Sequence, residues 1–449
     1  AQNIAPIMFV ALVVMLLLGY PVAFSLAAVG LAFFVIGVEL APLSNGSISL
    51  DWPLLSAMPE RIFGVMNNDT LLAIPFFTFM GLILERSGMA EDLLDTIGQL
   101  FGPVRGGLAY AVIFVGALLA ATTGVVAASV ISMGLISLPI MLRYGYDRRL
   151  ASGVIAASGT LAQIIPPSLV LIVMADQLGR SVGDMYKGAF IPGLVLAGLY
   201  AGYVFLVTMV RPGYAPALPK EARTLGSGVG SLLVMIALFV GIAYGVSMWL
   251  GAEYPKMPAD NKMIWAGSFA ILICYAIAWA NEKFGMNLLS RLASQVIIVL
   301  VPPLALIFLV LGTIFVGIAT PTEGGAMGAA GALLLAMAKG RLSFDLLKQA
   351  MDSTAKLSAF VLFILIGARV FSLTFYGVNG HTWVEHLLTS LPGGQVGFLI
   401  FVNLLVFLLA FFLDFFELAF IIVPLLGPAA EKLGIDLIWF GVILGVNMQ

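Results

Sequence analysis

The chain has 449 residues, of which 61% are hydrophobic and only 10% are charged, and its formal net charge is −2. Soluble domains carry about 25% charged residues, so this composition excludes a soluble globular protein; the near-neutral charge, without a basic tail, excludes a nucleic-acid-binding protein. The single cysteine, Cys274, excludes a disulfide framework and a thiolate metal site and is expected to be a small core residue. The sequence therefore predicts an all-α polytopic membrane protein.

Apolar runs long enough to cross a bilayer, about 20 residues each, recur along the whole chain. They lie at 4–19, 22–38, 62–84, 188–210, 229–250, 263–280, 295–319, 322–338 and 357–376. Shorter or interrupted runs lie at 107–142, 150–175, 396–430 and 437–449. A charged turn separates the two runs within 228–285, so this segment is predicted to form a helical hairpin.

The stretch 119–168 is unusual because its apolar sequence is interrupted twice. The first interruption is at 122–124, and the second lies between 158 and 167. Pro166 and Pro167 remove two backbone donors and keep the second interruption open. Backbone groups freed by a break in lipid must line a cavity, pair inside the protein or bind something. The stretch is therefore a candidate binding site.

Lys and Arg are concentrated in one set of the predicted loops. Fourteen of these residues lie in the loops 85–106, 143–149, 211–223, 282–291 and 339–356. Only six lie in the loops 39–61, 176–187, 253–262, 377–395 and 431–437. Because cytoplasmic loops carry an excess of Lys and Arg, the first set is predicted to be cytoplasmic.

Two parts of the chain resemble each other. Residues 19–21 (GYP) correspond to 319–321 (ATP), and 145–147 (GYD) correspond to 434–436 (GID). The turn at 145–147 is basic and its counterpart is not, so the copies are expected on opposite sides of the membrane. This predicts an inverted repeat, the usual architecture of secondary transporters. The repeat also leads us to expect that the second broken helix is incomplete at the C-terminus of this sequence.

Four segments resemble the large, DctM-type membrane subunit of tripartite ATP-independent periplasmic (TRAP) transporters, which is similar to the ion transporter superfamily. They are GYDRRLASGVIAASGTLAQIIPPS (145–168), ADQLGRSVGDMYKGAFIPGLV (175–195), FVGIATPTEGGAMGAAGAL (315–333) and GPAAEKLGIDLIWFGVILGVN (427–447). The resemblance implies an elevator-type transporter with two re-entrant hairpins and discontinuous helices in the bacterial inner membrane.

The resemblance also implies a function. It predicts a sodium symporter that imports small organic anions such as C4-dicarboxylates, 2-oxo or hydroxy acids, sialic acid or sulfonates, with Na⁺ as coupling ion and no other cofactor. A periplasmic binding protein and a small four-helix membrane subunit are the expected partners. The sequence has no GxxxxGKS, HExxH or nucleophile-elbow motif, which argues against an ATPase or another enzyme. The alternative is a membrane channel or a structural subunit of a larger complex.

The repeat and the resemblance together predict six regions. They are scaffold helices of the first repeat (1–106), the first transport-domain half (107–187, with a re-entrant hairpin at 107–142 and a broken helix at 150–175), a scaffold helix with a cytoplasmic linker (188–227), the inserted hairpin (228–285), scaffold and connecting helices of the second repeat (286–395), and the second transport-domain half (396–449, with a re-entrant hairpin at 396–430). The inserted hairpin is expected to contact the small subunit or a second copy of the chain in a homodimer.

Sodium prefers oxygen ligands, so its expected ligands are carbonyls and hydroxyls at the breaks together with acidic side chains of the second hairpin. They are Thr122, Thr123, Gly124, Ser129, Ser158, Gly159, Asp414, Glu417 and Asn447. For 122–129 the alternative is helix packing by small residues. For Asp414 and Glu417 the alternative is a position at the membrane surface.

The expected substrate-binding residues lie near the same breaks, where free N–H groups suit an anion, or carry an isolated charge. They are Ser158, Thr160, Gln163, Arg369 and Gln449. The atoms at 158–160 can serve either ion or substrate. For Arg369 the alternatives are a pair with Glu323 and a contact with the small subunit. Glu323 and Asp176 are expected to be structural, and Pro321 is predicted to break the chain as Pro166 and Pro167 do.

Overall fold

The computed structural model describes residues 3–448 except 124, 125, 227 and 412, and for 120–123, 127, 128 and 260 it describes the backbone alone. Throughout these residues the regular structure is helical, which confirms the predicted all-α membrane protein.

The first part of the chain forms eleven α-helices within the described residues. They are α1 (Ile4–Leu17), α2 (Val22–Leu40), α3 (Trp52–Leu55), α4 (Met58–Met66), α5 (Ala73–Arg86), α6 (Met89–Phe101), α7 (Gly107–Thr123), α8 (Val126–Arg143), α9 (Arg148–Thr160), α10 (Leu169–Leu178) and α11 (Val182–Val210). The remainder forms α12 (Val229–Glu253), α13 (Ala259–Phe284), α14 (Arg291–Phe315), α15 (Pro321–Ala338), α16 (Phe344–Gly377), α17 (Gly380–Thr389), α18 (Gly394–Leu409), α19 (Phe415–Ile421), α20 (Val423–Lys432) and α21 (Leu437–Asn447).

The helices fall into two compact units. Unit 1 comprises Ala1–Pro75, Val170–Gly188 and Asp352–Gln449, and unit 2 comprises Phe76–Leu169 and Ala189–Met351. The first candidate stretch, up to Leu169, belongs to unit 2, and the second predicted hairpin belongs to unit 1.

Six of the described helices are long and apolar enough to cross a bilayer. They are α2, α11, α12, α13, α14 and α16. A seventh candidate is the pair α17 and α18, which is bent by 117°.

The prediction of one continuous span at 62–84 is wrong, because α4 ends at Met66 and α5 begins at Ala73. The Asn68 side chain accepts a hydrogen bond from the Thr70 N–H at 3.0 Å. This local turn competes with helical hydrogen bonding and explains the interruption.

The turns paired by the sequence repeat have the same backbone structure. Gly145 follows α8 with φ +81°, and Gly434 follows α20 with φ +74°. In each turn the next residue, Tyr146 or Ile435, donates its N–H to the carbonyl five residues earlier at 3.0 Å. This bond is characteristic of a Schellman motif, in which glycine adopts the left-handed conformation that ends the helix.

An aspartate follows each of these turns and begins the next helix. Asp147 accepts hydrogen bonds from the Arg149 and Leu150 N–H groups at the start of α9. Asp436 accepts one from the Trp439 N–H at 2.8 Å at the start of α21. Both side chains are N-caps, which satisfy N–H groups without helical partners. The similarity predicted from the sequence therefore extends to backbone hydrogen bonding.

The loops assigned to the basic side contact one another within unit 2. Asp92 accepts two hydrogen bonds from the Arg341 guanidinium, at 2.7 and 3.1 Å. The Asp147 N–H donates to the Tyr214 carbonyl at 2.9 Å. Loops of the other set pair within unit 1 through Arg180 with Glu431 and Asn379 with Ser47. Each unit thus brings together loops that the Lys and Arg distribution places on one side.

The segment 228–285 forms α12 and α13, which pack on each other and, through α13, on α14. Their shared core consists of Met235, Cys274, Ala278 and Ile297. Burial in this apolar cluster agrees with the expectation that Cys274 is a small core residue.

Asn281 fixes the end of this hairpin. Its side-chain nitrogen donates to the Ser294 hydroxyl at 2.9 Å, and its oxygen accepts from the Leu288 and Leu289 N–H groups at 2.8 and 3.2 Å. The side chain is buried. It therefore joins α13, the following turn and α14.

Replacing Asn281 with alanine is expected to lower the free energy of unfolding by about 1 to 3 kcal/mol, because the buried Ser294 hydroxyl and the backbone N–H groups of Leu288 and Leu289 lose their partner. The measurement is the melting temperature of the purified protein in detergent. Ser268→Ala is the matched control, since the Ser268 hydroxyl bonds only the Ile264 carbonyl of its own helix, at 2.8 Å. Equal melting temperatures for both variants would contradict this role of Asn281.

Candidate functional site

The helices α7, α8 and α9 pack closely in unit 2 because glycines stand where they cross. A methyl group on Gly116 would lie 2.7 Å from Ser158 Cβ and 3.0 Å from the Ser158 carbonyl oxygen. A methyl group on Gly159 would overlap Val130 Cγ2 and lie 3.1 Å from the Val130 Cα and N. Small residues permit such close approach. Ser158 and Gly159 therefore lie at a three-helix junction, where Gly159 permits the close approach of α8.

Pro166 and Pro167 lie in the interruption between α9 and α10. Neither proline has an N–H, so the carbonyls four residues earlier, at Ala162 and Gln163, lose the donors that a continuous helix would supply. The Gln163 carbonyl instead accepts from the Ser168 hydroxyl at 2.6 Å. The buried carbonyl of Ala162 is an additional candidate ligand that the sequence analysis did not name; the signal was a proline four residues later.

The expectation of free N–H groups at 158–160 is wrong, because these residues end α9, and the free backbone groups at a helix C-terminus are carbonyls. The hydroxyls at this end of α9 keep their lone pairs available. Ser158 donates to the Val154 carbonyl at 2.6 Å, and Thr160 donates to the Ala157 carbonyl at 2.8 Å. A hydroxyl has one proton and two lone pairs, so each oxygen can still coordinate a cation. Ser129, on α8, is also buried.

The Gln163 side chain is buried, and its amide oxygen has no hydrogen-bond partner among the described residues. Leaving a buried acceptor unpaired costs about 1 to 3 kcal/mol. The oxygen suits a cation or a hydrogen-bond donor, and the amide nitrogen suits an anion. This unsatisfied group supports the expectation that a ligand binds at the break.

Gly193 of α11 makes room for the interruption. A methyl group at this position would lie 3.0 Å from Ile165 Cγ1 and 3.5 Å from the Ile164 carbonyl oxygen. Glycine in a helix interior is less favourable than alanine by roughly 0.5 to 1 kcal/mol, and at this position of α11 the close approach of Ile164 and Ile165 explains its presence. Gly193 was not among the predicted site residues, although Pro192-Gly193 was a visible sequence signal.

Four predicted site residues lie wholly or partly outside the part of the chain that the structure describes. Thr122 and Thr123 end α7, and their side chains lie outside the described residues. Gly124 and Gln449 lie outside them altogether. Their proposed roles stay predictions.

In unit 1, Asp414 and Glu417 begin α19 as a capping box. The Asp414 carboxylate accepts from the Glu417 N–H, and the Glu417 carboxylate accepts from the Asp414 N–H, both at 2.9 Å. The Asp-x-x-Glu spacing is the sequence signature of this arrangement. Each carboxylate retains a second oxygen, so capping is compatible with a further ligand.

Glu417 also borders a cavity of about 320 Å³ within unit 1. The cavity wall includes the turn at 19–21 and the side chains of Phe360 and Phe363. The proximity of this repeat turn to Glu417 could not be predicted, because residues so distant in sequence meet only in the folded chain.

Two other predicted residues of unit 1 have protein partners. The Asn447 side chain donates to the Asn403 carbonyl at 2.8 Å, which joins α21 to α18. The Asp176 carboxylate accepts from the side chains of Asn68 at 2.8 Å and Gln177 at 2.9 Å. Asp176 therefore has the structural role expected of it.

Pro321 is the first residue of α15, where its fixed backbone angle favours a helix start. Thr320 caps this helix by accepting from the Glu323 N–H at 3.2 Å, and the Glu323 carboxylate accepts from the Thr320 N–H at 2.8 Å. The expectation that Glu323 is structural at this position agrees with the capping box.

Arg369 lies on α16, a candidate membrane span, and its side chain is exposed. It makes no hydrogen bond or ion pair with another residue in the described part of the chain. A charge in a spanning helix usually faces a cavity or a polar partner. Arg369 is therefore available for a substrate anion or for another subunit.

Comparison with known proteins gives one consistent family. The model for the DctM component of the tripartite ATP-independent periplasmic transporters matches residues 9–284 and 257–449. The C4-dicarboxylate TRAP transporter large permease protein DctM of Rhodobacter capsulatus is 26% identical over 99% of this chain and 86% of its own length.

Two further relatives are named for other substrates. The isethionate TRAP transporter permease protein DctMQ of Oleidesulfovibrio alaskensis is 22% identical over 99% of this chain and 57% of its own length. The sialic acid TRAP transporter permease protein SiaT of Haemophilus influenzae is 22% identical over 98% of this chain and 59% of its own length.

Proposed function

The chain belongs to the DctM family of tripartite ATP-independent periplasmic transporters, and on this premise we propose that it is the sodium-coupled permease of an importer of small organic anions. As a member of this family it is a transport protein and not an enzyme. In this proposal the protein lies in the bacterial inner membrane and moves its substrate by an elevator mechanism, with Na⁺ as the coupling ion.

The proposed substrate class comes from the relatives. Their names specify a C4-dicarboxylate, isethionate and sialic acid, all of which carry a carboxylate or sulfonate group. The shared chemistry is a small organic acid that is ionised at neutral pH. Within unit 2, the Gln163 amide nitrogen is the proposed contact for the anionic group, because the Thr160 hydroxyl already donates to the Ala157 carbonyl. Arg369, in unit 1, is a separate proposed contact for an anion.

The proposed partners are a periplasmic binding protein and a small four-helix membrane subunit. The family description specifies a three-part transporter of which this chain is one component. The relative named DctMQ is longer than this chain, which covers 57% of it. A homodimer remains a separate proposal, for which the inserted hairpin α12–α13 is the surface to examine.

The observation that carries the proposal is the oxygen-rich interruption after α9. The Ala162 carbonyl lacks its helical donor because residue 166 is proline, and the Gln163 amide oxygen is buried without a partner in the described residues. The Ser158 oxygen lies about one turn earlier, in α9. These are hard, uncharged oxygens of the kind that discontinuous membrane helices use for Na⁺.

Uptake by the reconstituted complex is expected to require both a Na⁺ gradient and the binding protein. Replacing external Na⁺ with choline removes the coupling ion and should reduce uptake of a radiolabelled organic anion to the level of empty vesicles. The measurement is initial uptake at equal membrane potential. Uptake that is unchanged in choline would contradict sodium coupling, and omission of the binding protein provides the second control.

Ser158→Ala is expected to raise the Na⁺ concentration for half-maximal uptake by roughly tenfold, which corresponds to about 1.4 kcal/mol of lost binding free energy. The reason is the loss of one oxygen ligand among several. Ser152→Ala is the matched control, because Ser152 is exposed on the same helix and its hydroxyl bonds the Arg149 carbonyl. The same Na⁺ dependence in both variants would move the ion site away from Ser158.

A further inference from the structure

A groove of about 770 Å³ runs between α9 and α11 within unit 2. Its floor is formed by the buried side chains of Ile113, Leu150 and Val154. The α9 wall is low because it carries the small residues Gly153 and Ala157. A methyl group on Gly153 would meet no atom within 4 Å, so the groove is open at this point.

One end of the groove is basic. The Arg211 guanidinium donates to the Tyr214 hydroxyl at 2.6 Å and lies 5.1 Å from the centre of its ring. Arg149 lines the same end, and its guanidinium has no partner among the described residues. The one carboxylate there, Asp147, is occupied in capping α9. Two cations thus face one anion, which leaves a net positive charge.

The basic end of the groove is predicted to face the cytoplasm. Its two arginines belong to the loops 143–149 and 211–223, which the Lys and Arg distribution places on the cytoplasmic side. The loops are joined directly, because the Asp147 N–H donates to the Tyr214 carbonyl. The basic end therefore lies at the level of the cytoplasmic membrane surface.

The rest of the groove is apolar and has the length of one leaflet. Its α11 wall extends from Val210 to Tyr200, about 15 Å at 1.5 Å per residue. Half of a hydrocarbon core about 30 Å thick has the same length. Val210, Leu206 and Tyr203 are 78%, 60% and 61% exposed, so the groove opens sideways where a spanning helix faces lipid.

We propose that this groove binds one anionic diacyl phospholipid of the cytoplasmic leaflet. The phosphate lies between Arg149 and Arg211, and the Tyr214 hydroxyl provides a further polar contact. One acyl chain follows the apolar floor between α9 and α11. Guanidinium groups are matched to phosphate oxygens by charge and geometry, and the apolar floor explains why a hydrocarbon chain, rather than a free anion, fills the remainder.

The test is native mass spectrometry of the purified protein after addition of equal amounts of phosphatidylglycerol and phosphatidylcholine with the same acyl chains. The wild type is expected to retain one molecule of phosphatidylglycerol in preference to phosphatidylcholine. The double variant Arg149→Gln with Arg211→Gln should lose this preference by roughly 30-fold, the effect of two basic side chains at a membrane surface. Arg148→Gln is the charge control, since Arg148 is an exposed neighbour that does not line the groove.

A second variant tests the acyl-chain half of the groove. Gly153→Leu fills the open wall and should abolish retention of either lipid. Gly198→Leu is its control, because a methyl group on Gly198 also meets no atom within 4 Å but this residue does not line the groove. Melting temperatures in lipid-free detergent show that each variant is folded.

Three results would overturn the proposal. The first is equal retention of the two lipids by the wild type. The second is an unchanged preference in the arginine double variant. The third is binding of inorganic phosphate as tight as that of the lipid, which would make the basic end an anion site without an acyl chain.

Discussion

Replacing Gly159 with alanine is expected to abolish most transport and to lower the melting temperature of the protein. The added methyl group would overlap Val130 Cγ2 and lie 3.1 Å from the Val130 Cα and N, so the backbones of α8 and α9 would have to separate. Overpacking of this kind typically costs about 1 to 3 kcal/mol. The displaced residues include the neighbouring Ser158, so ion coupling should fail together with stability. The measurements are initial uptake and thermal melting in detergent.

Two variants make this expectation specific. Val130→Ala combined with Gly159→Ala removes the overlapping methyl group but keeps the close backbone contacts, and it should recover part of the lost stability. Gly153→Ala, on the same helix, adds a methyl group where no atom lies within 4 Å and should leave uptake and melting temperature unchanged or improve stability slightly. Wild-type behaviour of Gly159→Ala alone would show that the three-helix junction is looser than the structure indicates.

Replacing both Pro166 and Pro167 with alanine is expected to reduce sodium-coupled uptake by about 100-fold, equivalent to about 2.7 kcal/mol. Each proline disfavours a helix by about 3 kcal/mol or more, so their removal favours a continuous helix from α9 into α10. The restored N–H groups would then donate to the Ala162 and Gln163 carbonyls. The Ala162 oxygen would no longer be available as a sodium ligand. The measurement is uptake as a function of Na⁺ concentration.

The matched control is the other adjacent proline pair of a spanning helix, Pro302 and Pro303 in α14. Replacing that pair with alanines adds the same two N–H groups inside a helix that is already continuous, and a much smaller effect on sodium dependence is expected. If both double variants lost uptake equally, the interruption after α9 would have no special role. If neither did, the site would lie outside it.

Several features of the structure depend only on the local sequence. Asp147 and Asp436 cap helices because their carboxylates are close in sequence to the N–H groups they satisfy. Gly145 and Gly434 end helices because glycine adopts positive φ without strain. Such features involve atoms a few residues apart, so the sequence alone contains the information that specifies them.

Contacts between distant residues could not be predicted in this way. Gly116 is one of many glycines in an apolar run, and only the crossing of α7 and α9 shows that Ser158 lies against it. The groove between α9 and α11 likewise exists because Gly153 faces Tyr203 and its neighbours across a gap. The Gly116 contact and the groove both depend on which face of each helix packs against its neighbour. This face cannot be identified from the sequence when hydrophobicity is nearly uniform around the helix.

The sequence by itself determined the all-helical membrane class, the ends of many helices and the family, because composition, caps and motifs are local or additive. The two proline pairs show what only the tertiary structure decided. The local rule is the same for both, yet α14, which packs on α6, α13 and α15, continues through Pro302 and Pro303. The chain after α9 is not helical at Pro166 and Pro167, because the Ser168 hydroxyl satisfies the freed Gln163 carbonyl and Gly193 leaves space for the bend. The outcome depends on neighbours distant in sequence that either hold a helix straight or accommodate its interruption.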